Sequence, residues 1–210
     1  MMQAAGLNWE LNLCPLQAQT PKGDQIEVPG RYALVRDTDG KVMTITGQSW
    51  KPLQPRAALN FMRDYVEAGG ATLETAGSLR GGKVVWGLAR LQHSFEVTKG
   101  DKVDGYLLIT SPNEVGKSIS VRTTTVRVVC ANTLAMADRA SDVHYRQSHL
   151  REFDVEAAKE KVAQAHEHLA EAERRAKTLA GLKLNLEDAV KKVYVPQLFP
   201  KIAEDEDALK

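Results

Sequence analysis

The chain lacks most of the features that would name a function by themselves. Its 210 residues contain only two cysteines, Cys14 and Cys130. That rules out a disulfide-dense secreted scaffold and makes a reduced, cytoplasmic setting the simpler expectation. No apolar run approaches the roughly 20 residues needed to span a bilayer, so no membrane partner is expected. The N-terminus has no basic start followed by an apolar core, and no secretory leader is read there. The formal net charge is only +1, which removes any global polyelectrolyte signal. There is no complete catalytic or metal-binding motif, so neither an enzyme nor a cofactor is expected.

Several part-motifs have plainer explanations. His166 and His168 lie two apart in a helical stretch and therefore point about 200° apart. His144 and His149 have no cysteine or carboxylate at ligand spacing. The segment Gly77-Ser78-Leu79-Arg80-Gly81-Gly82-Lys83 matches a phosphate-binding P-loop as far as the lysine. Val84 then stands where a magnesium-binding hydroxyl is needed, and a strand follows where the helix should begin. A glycine-rich hairpin turn with two cations at its tip is the preferred reading. Cys130 ends an apolar run, which points to a buried structural thiol rather than a nucleophile.

What is present is an ordinary globular composition, 43% hydrophobic and 26% charged, in a chain long enough to bury a core. Charge is uneven along it. Residues 77–127 hold 8 basic and 4 acidic side chains, a local bias compatible with a phosphate-rich partner and also with a solvated surface.

Residues 9–53 read as strands. Arg31–Arg36 and Lys41–Ile45 flank Asp37-Thr38-Asp39-Gly40, a hairpin signal because glycine permits positive φ. Pro55 fits the first position of a helix, followed by Ala58, Leu59, Met62, Tyr65 and Val66 at helical spacing, with Gly69-Gly70 as its stop. A second strand group covers 72–130. Lys83–Leu91 is apolar at both parities, which predicts a strand covered on both faces. Ser94–Lys99 and Tyr106–Thr110 read as its neighbours, with Gly100-Asp101 in the turn between them.

The run Val121–Leu134 reads as a strand leading into a helix over Leu134–Arg139, capped by Asn132 or Thr133. Its apolar parity switches near Thr124. A β-bulge there would bring Arg122 and Arg127 to one face, and without it they oppose each other. From Asp154, a plausible N-cap, Val155, Ala158, Val162, Ala165, Leu169, Ala172, Ala176 and Leu179 form a heptad seam. Packing on the sheet domain and packing between subunits both fit it. A second helix is expected over Leu186–Tyr194, and a frayed acidic tail at Glu204–Asp207. The expected architecture is α+β: antiparallel sheet with packed helices over 1–150, and a helical arm or hairpin over 151–210. Deleting 154–210 is then expected to leave the sheet domain folded.

Arg80, Lys83, Arg90, Lys117, Arg122 and Arg127 lie in or beside the second strand group, with Trp86 among them. Cations on a sheet with an aromatic are what a single-stranded nucleic-acid surface requires: backbone neutralisation plus a stacking face. The plainer alternative puts Trp86 in the core and pairs the arginines with local acids, and on pattern alone it leads.

Several segments in order resemble the phage- and plasmid-like proteins that carry domain of unknown function 932. They are Gly6–Leu11, Pro29–Gln54, Glu74–Leu91, Tyr106–Thr110 and Val121–Leu134. The chain departs from that pattern at Ser111–Ser118, where such proteins usually carry an Asn-Ser-His-Asp-Gly-Ser-like turn. The resemblance implies a mobile-element protein in the host cytoplasm and supplies no catalytic residues. The layout of a Trp-led strand, a hairpin and a helix also looks loosely like phage single-strand annealing proteins of the Redβ and Erf type. Together these make a non-enzymatic, homo-oligomeric single-stranded DNA-binding or annealing protein the leading expectation, with Arg80, Lys83, Arg90, Lys117, Arg122 and Arg127 on phosphates and Trp86 stacking. The alternative is an interaction module that binds a host protein through the helical arm.

Overall fold

The structure, a computed structural model, describes residues 2–67, 70–140, 143–163 and 165–183, together with Asn185, Glu187 and Val190. The chain divides into two compact units, residues 1–173 and 174–210. The second helix expected over Leu186–Tyr194, the acidic tail and Gly69 of the helix stop fall wholly or largely outside the described residues.

The first unit holds two antiparallel sheets and their helices, the α+β class. One sheet has three strands, β1 (Leu11–Gln19), β2 (Gln25–Arg36) and β3 (Val42–Thr46), in sequential order. The hairpin between β2 and β3 turns at Gly40, whose φ of +67° only glycine adopts without strain. The inner face buries Leu11, Leu34 and Met43 against Leu7, Trp9 and Trp50. Beyond a register shift between Pro15 and Gln17, β1 and β2 continue as a largely exposed ribbon. The ribbon lies within the stretch read as strands, although it has no apolar alternation.

The other sheet is a five-stranded meander: β4 (Ala71–Leu79), β5 (Val84–Glu96), β6 (Lys102–Pro112), β7 (Ser118–Thr124) and β8 (Val143–Ser148). As the double-parity run implies, β5 is covered on both faces. On one side, helix α1 (Pro55–Glu67) lays Phe61 and Met62 against Ala89, Leu107 and Ile109. Full burial of each such side chain stabilises by about 1.5–3 kcal/mol. Its Leu59 joins the cluster of the first sheet together with Val85, so α1 ties the two sheets together. Gly87 permits the approach, since a Cβ there would stand 3.3 Å from Leu59 Cδ2. On the opposite side, helix α2 (Ala131–Ala140) sets Leu134 and Ala137 over Trp86, Leu88 and Leu108.

One expectation needs correction, and two open questions are answered. Ser94–Lys99 is not a separate strand: β5 continues to Glu96, with a register shift against β6 between Arg90 and Ser94. The parity switch near Thr124 is not a bulge against β6. The two strands pair in unbroken register from Tyr106↔Thr124 to Thr110↔Ser120, and the strand ends at Thr124. The chain then crosses the sheet to β4, where the Thr75 hydroxyl donates to the Val128 carbonyl (3.1 Å). Finally, of the two packings open to the heptad seam, its start takes the one on the sheet domain. Helix α3 (Val155–Ala163) and the start of α4 (Ala165–Gly181) bury Ala158, Val162 and Leu169 in the α1-side core. A deletion from 154 would therefore open that core, and the compact division falls after Glu173.

The N-cap of α3 is as expected: the Asp154 carboxylate accepts the Ala157 N–H (2.9 Å). Buried Gln147 supports it from β8. Its Oε1 accepts from the Tyr145 hydroxyl (2.6 Å) and the Asp154 N–H (2.9 Å), while its Nε2 donates to the carbonyls of Arg151 and Glu152.

His149, just past β8, is 1% exposed and stacks on Trp50, with ring centroids 4.4 Å apart. Its Nδ1 lies 3.2 Å from the Lys51 carbonyl, and since that oxygen only accepts, Nδ1 carries the proton. Burial pushes the imidazole below its ordinary 6.5, outweighing the Lys51 and Pro112 carbonyls that favour the charged form. The unfolded chain therefore takes up a proton near 6.5 that the folded chain accepts only at lower pH. Stability is expected to be level above about pH 7 and to fall as pH drops below 6.5. Thermal melts between pH 7.5 and 5 would show a shallower acid loss in His149→Asn than in the parent. Equal slopes would mean that His149 does not set the acid limit.

A candidate anion-binding cleft

Alternation along β7 divides its side chains. Ile119 and Val121 enter the α1-side core, while Ser118, Ser120 and Arg122 face the α2 side. Strand pairing extends this polar stripe sideways: Thr110 of β6 and Arg146 of β8 both pair with Ser120. Helix α2 covers only part of this face. Between it and the turn from β6 to β7 lies a cleft with two adjoining lobes that share Thr110, Pro112, Lys117 and Asp138. The polar lobe, about 310 Å³, is lined by Lys117, Ser118, Ser120, Arg122 and Arg146. The other, about 180 Å³, adds Leu79, Val84, Ala131, Leu134 and Ala135, with the Arg80–Glu114 pair also in its lining.

Arg122 is the centre of the polar lobe. The residue is 6% exposed. Its Nη2 donates to Ser120 Oγ (2.8 Å), which in turn bonds Thr110 Oγ1 (2.7 Å). Its Nη1 pairs with the Asp138 carboxylate at 3.0 Å. Its buried Nε has no hydrogen-bond partner among the described residues. Burial pushes the guanidinium below its ordinary value, Asp138 opposes that shift, and Arg146 adds to it. The lobe thus holds three cations, Lys117, Arg122 and Arg146, against one carboxylate, with a buried donor still unmatched. That excess of positive charge would stabilise an oxygen-bearing anion there.

The residues singled out in the sequence do not form one surface. Arg80, Lys117 and Arg122 line the cleft, and Arg80 pairs with Glu114 across 3.3 Å. Lys83 is half-buried in the neighbouring turn, where its carbonyl accepts the Asn113 N–H (2.7 Å). Arg90 and Arg127 form a separate cluster, both bound to Glu74 at 3.7 and 2.8 Å. Trp86 is 5% exposed beneath α2; its ring offers no open face for stacking. The glycine-rich segment is a strand followed by the short turn Arg80–Gly82, not a loop opening a helix, so it has no P-loop geometry. Sequence reading missed Arg146, Asp138 and the three hydroxyls. The period-two pattern Ser118-Ile119-Ser120-Val121-Arg122 carried a usable signal, whereas Arg146 joins only through strand pairing.

Cys130 also differs from expectation. Its thiol is exposed, not core. It precedes α2, whose first turn Thr133 closes by accepting the Val129 and Cys130 N–H groups at 3.0 Å. Hydrogen bonds from Thr133 and Asn132 hold the thiol below its ordinary 9.0. In a Cys14→Ser background, the pH profile of Cys130 alkylation is expected to have its midpoint below 9; a midpoint at or above 9 would contradict this.

Among the described residues no three His, Cys, Asp or Glu side chains gather as metal ligands would, and no helix is long and apolar enough to cross a membrane. Fold and cleft together define an α+β protein in which an antiparallel meander carries a basic, hydroxyl-lined cleft beside a helix. The chain belongs to the family defined by the domain of unknown function DUF932, whose profile matches residues 42–210. That span contains the whole meander and every residue of the cleft. No curated protein and no solved structure matches the chain.

Proposed function

We propose that this protein binds single-stranded nucleic acid without catalysing a reaction on it, holding phosphates at Lys117, Arg122 and Arg146. The observation that carries the reading is the buried Arg122 guanidinium, which lines a cleft that has an excess of positive charge. Charge-assisted hydrogen bonds to phosphate are the strong ones, and a cleft admits one strand more readily than a duplex. With Trp86 buried, the reading rests on phosphate contacts. The finer form of the proposal is strand annealing by an oligomer of a phage or plasmid protein in the host cytoplasm; it draws on the family resemblance. Fluorescence anisotropy with a labelled single strand tests the core claim: affinity at low salt that falls as salt rises supports it, and no affinity at low salt sinks it.

A second reading has its own observation. In the second unit, Leu179 and Leu182 are 67% and 55% exposed, as a partner-binding helix would leave them. Truncation after Glu173, rather than at 154, is the deletion that tests capture of a host protein through this segment.

A further inference from the structure

The two lobes of the cleft differ in chemistry, and that difference narrows the ligand. One is cationic and hydroxyl-lined; the other is walled mainly by Leu79, Val84, Leu134 and Ala135, with the Arg80–Glu114 ion pair beside them. The polar lobe, about 310 Å³, stands at the lower end of the range for small-molecule sites, roughly 300–1,000 Å³, and the other, about 180 Å³, adjoins it as a smaller extension. The pair suits a compact ligand with an anionic end and an apolar, planar end.

Two further features favour a terminal phosphate and a ring. The side chains of the polar lobe sum to +2, three cations against Asp138. A terminal phosphate monoester carries about −1.5 to −2 at neutral pH, whereas a phosphodiester in mid-strand carries a single charge. Beside the apolar lobe stands Arg80, the one non-glycine residue with positive φ among the described residues, at +52°. That conformation is strained for a residue with a Cβ, and such strain concentrates at functional sites. Arg80 is exposed, and a guanidinium plane is a stacking platform for a base. It would take the part once expected of Trp86.

We infer that the cleft takes a nucleoside monophosphate moiety. Its phosphate sits on Arg122, Lys117 and Arg146, and its base lies against Leu134 and Val84 beneath Arg80. This rests on the cleft being the ligand site proposed above, and it names a strand end or a free mononucleotide as the occupant.

The test uses the full chain and anisotropy of one oligonucleotide, labelled internally, with phosphate or hydroxyl at each end. Nucleoside monophosphates, nucleosides and inorganic phosphate serve as competitors. The expected result is about tenfold tighter binding of a phosphorylated end, competition by nucleoside monophosphates well ahead of inorganic phosphate, and loss of the end preference in Arg122→Gln. Should that variant fail to fold, Arg146→Ala at an exposed position is expected to reduce the same preference. Nucleoside monophosphate binding without any strand binding, measured directly by calorimetry, would support the moiety and overturn the strand-binding reading. Equal affinity for phosphorylated and hydroxyl ends would overturn the inference while leaving strand binding intact. Competition by inorganic phosphate as strong as by nucleoside monophosphates would overturn the role given to the apolar lobe and Arg80.

Discussion

Replacing Trp86 by alanine is expected to destabilise the protein by about 3–5 kcal/mol, a fall of roughly 6–20 °C in Tm for a chain of this size. The ring is 5% exposed and lies in a cluster with Leu88, Leu108, Val128 and Leu134. Gly77 lies against it from β4, where even a Cβ would stand 3.5 Å from the indole. The large cavity left by alanine could not be filled by neighbours on a rigid sheet. Trp86→Phe separates packing from binding. The indole Nε1 has no hydrogen-bond partner among the described residues, so phenylalanine loses no polar contact, and single-strand affinity is expected to stay unchanged. A folded Trp86→Phe protein with greatly weakened strand binding would return the ring to a stacking role.

Removing two cleft cations together, Lys117→Ala with Arg146→Ala, is expected to weaken single-strand binding at low salt by at least about tenfold. Both side chains are exposed, and surface substitutions of this kind usually change stability by no more than about 0.5 kcal/mol. The loss would therefore report on binding rather than folding. Salt dependence sharpens the test. Each neutralised phosphate contributes about −0.7 to the slope of log affinity against log salt for single strands. Three contacts give a slope of about −2, and the double variant should retain about −0.7. Asp138→Asn is expected to act in the opposite direction, because it removes the carboxylate that competes for Arg122. A double variant that binds like the parent would move the nucleic-acid site elsewhere.

Local pattern made much of the fold legible. Asp39-Gly40 announced its turn, Pro55 its helix, and Asp154 its cap, because each is decided by backbone preferences within a few residues. The double-parity run of β5 correctly implied cover on both faces. What stayed open depended on pairing across the chain. The parity switch at Thr124 left a bulge open because a strand leaving its sheet and crossing to β4 changes facing in the same way. The alanine-rich seam left two packings open because heptad spacing does not say which surface receives it; here Ala158, Val162 and Leu169 meet the meander. For the site, sequence proximity misled. Arg122 and Arg127 are five residues apart, yet one is buried beside Asp138 and the other is paired to Glu74. Arg146, 24 positions from Arg122, reaches the cleft because β8 pairs with β7.

The central claim is that phosphate binds against the buried Arg122 guanidinium. Arginine Nε–Hε groups give resolvable NMR signals, and Arg122→Lys assigns this one by its disappearance. Titrating the labelled protein with a short 5′-phosphorylated single strand at low salt should shift the Arg122 Nε–Hε signal downfield and saturably, in step with the binding isotherm. A strand that binds while the Arg122 signal stays in place would contradict the account.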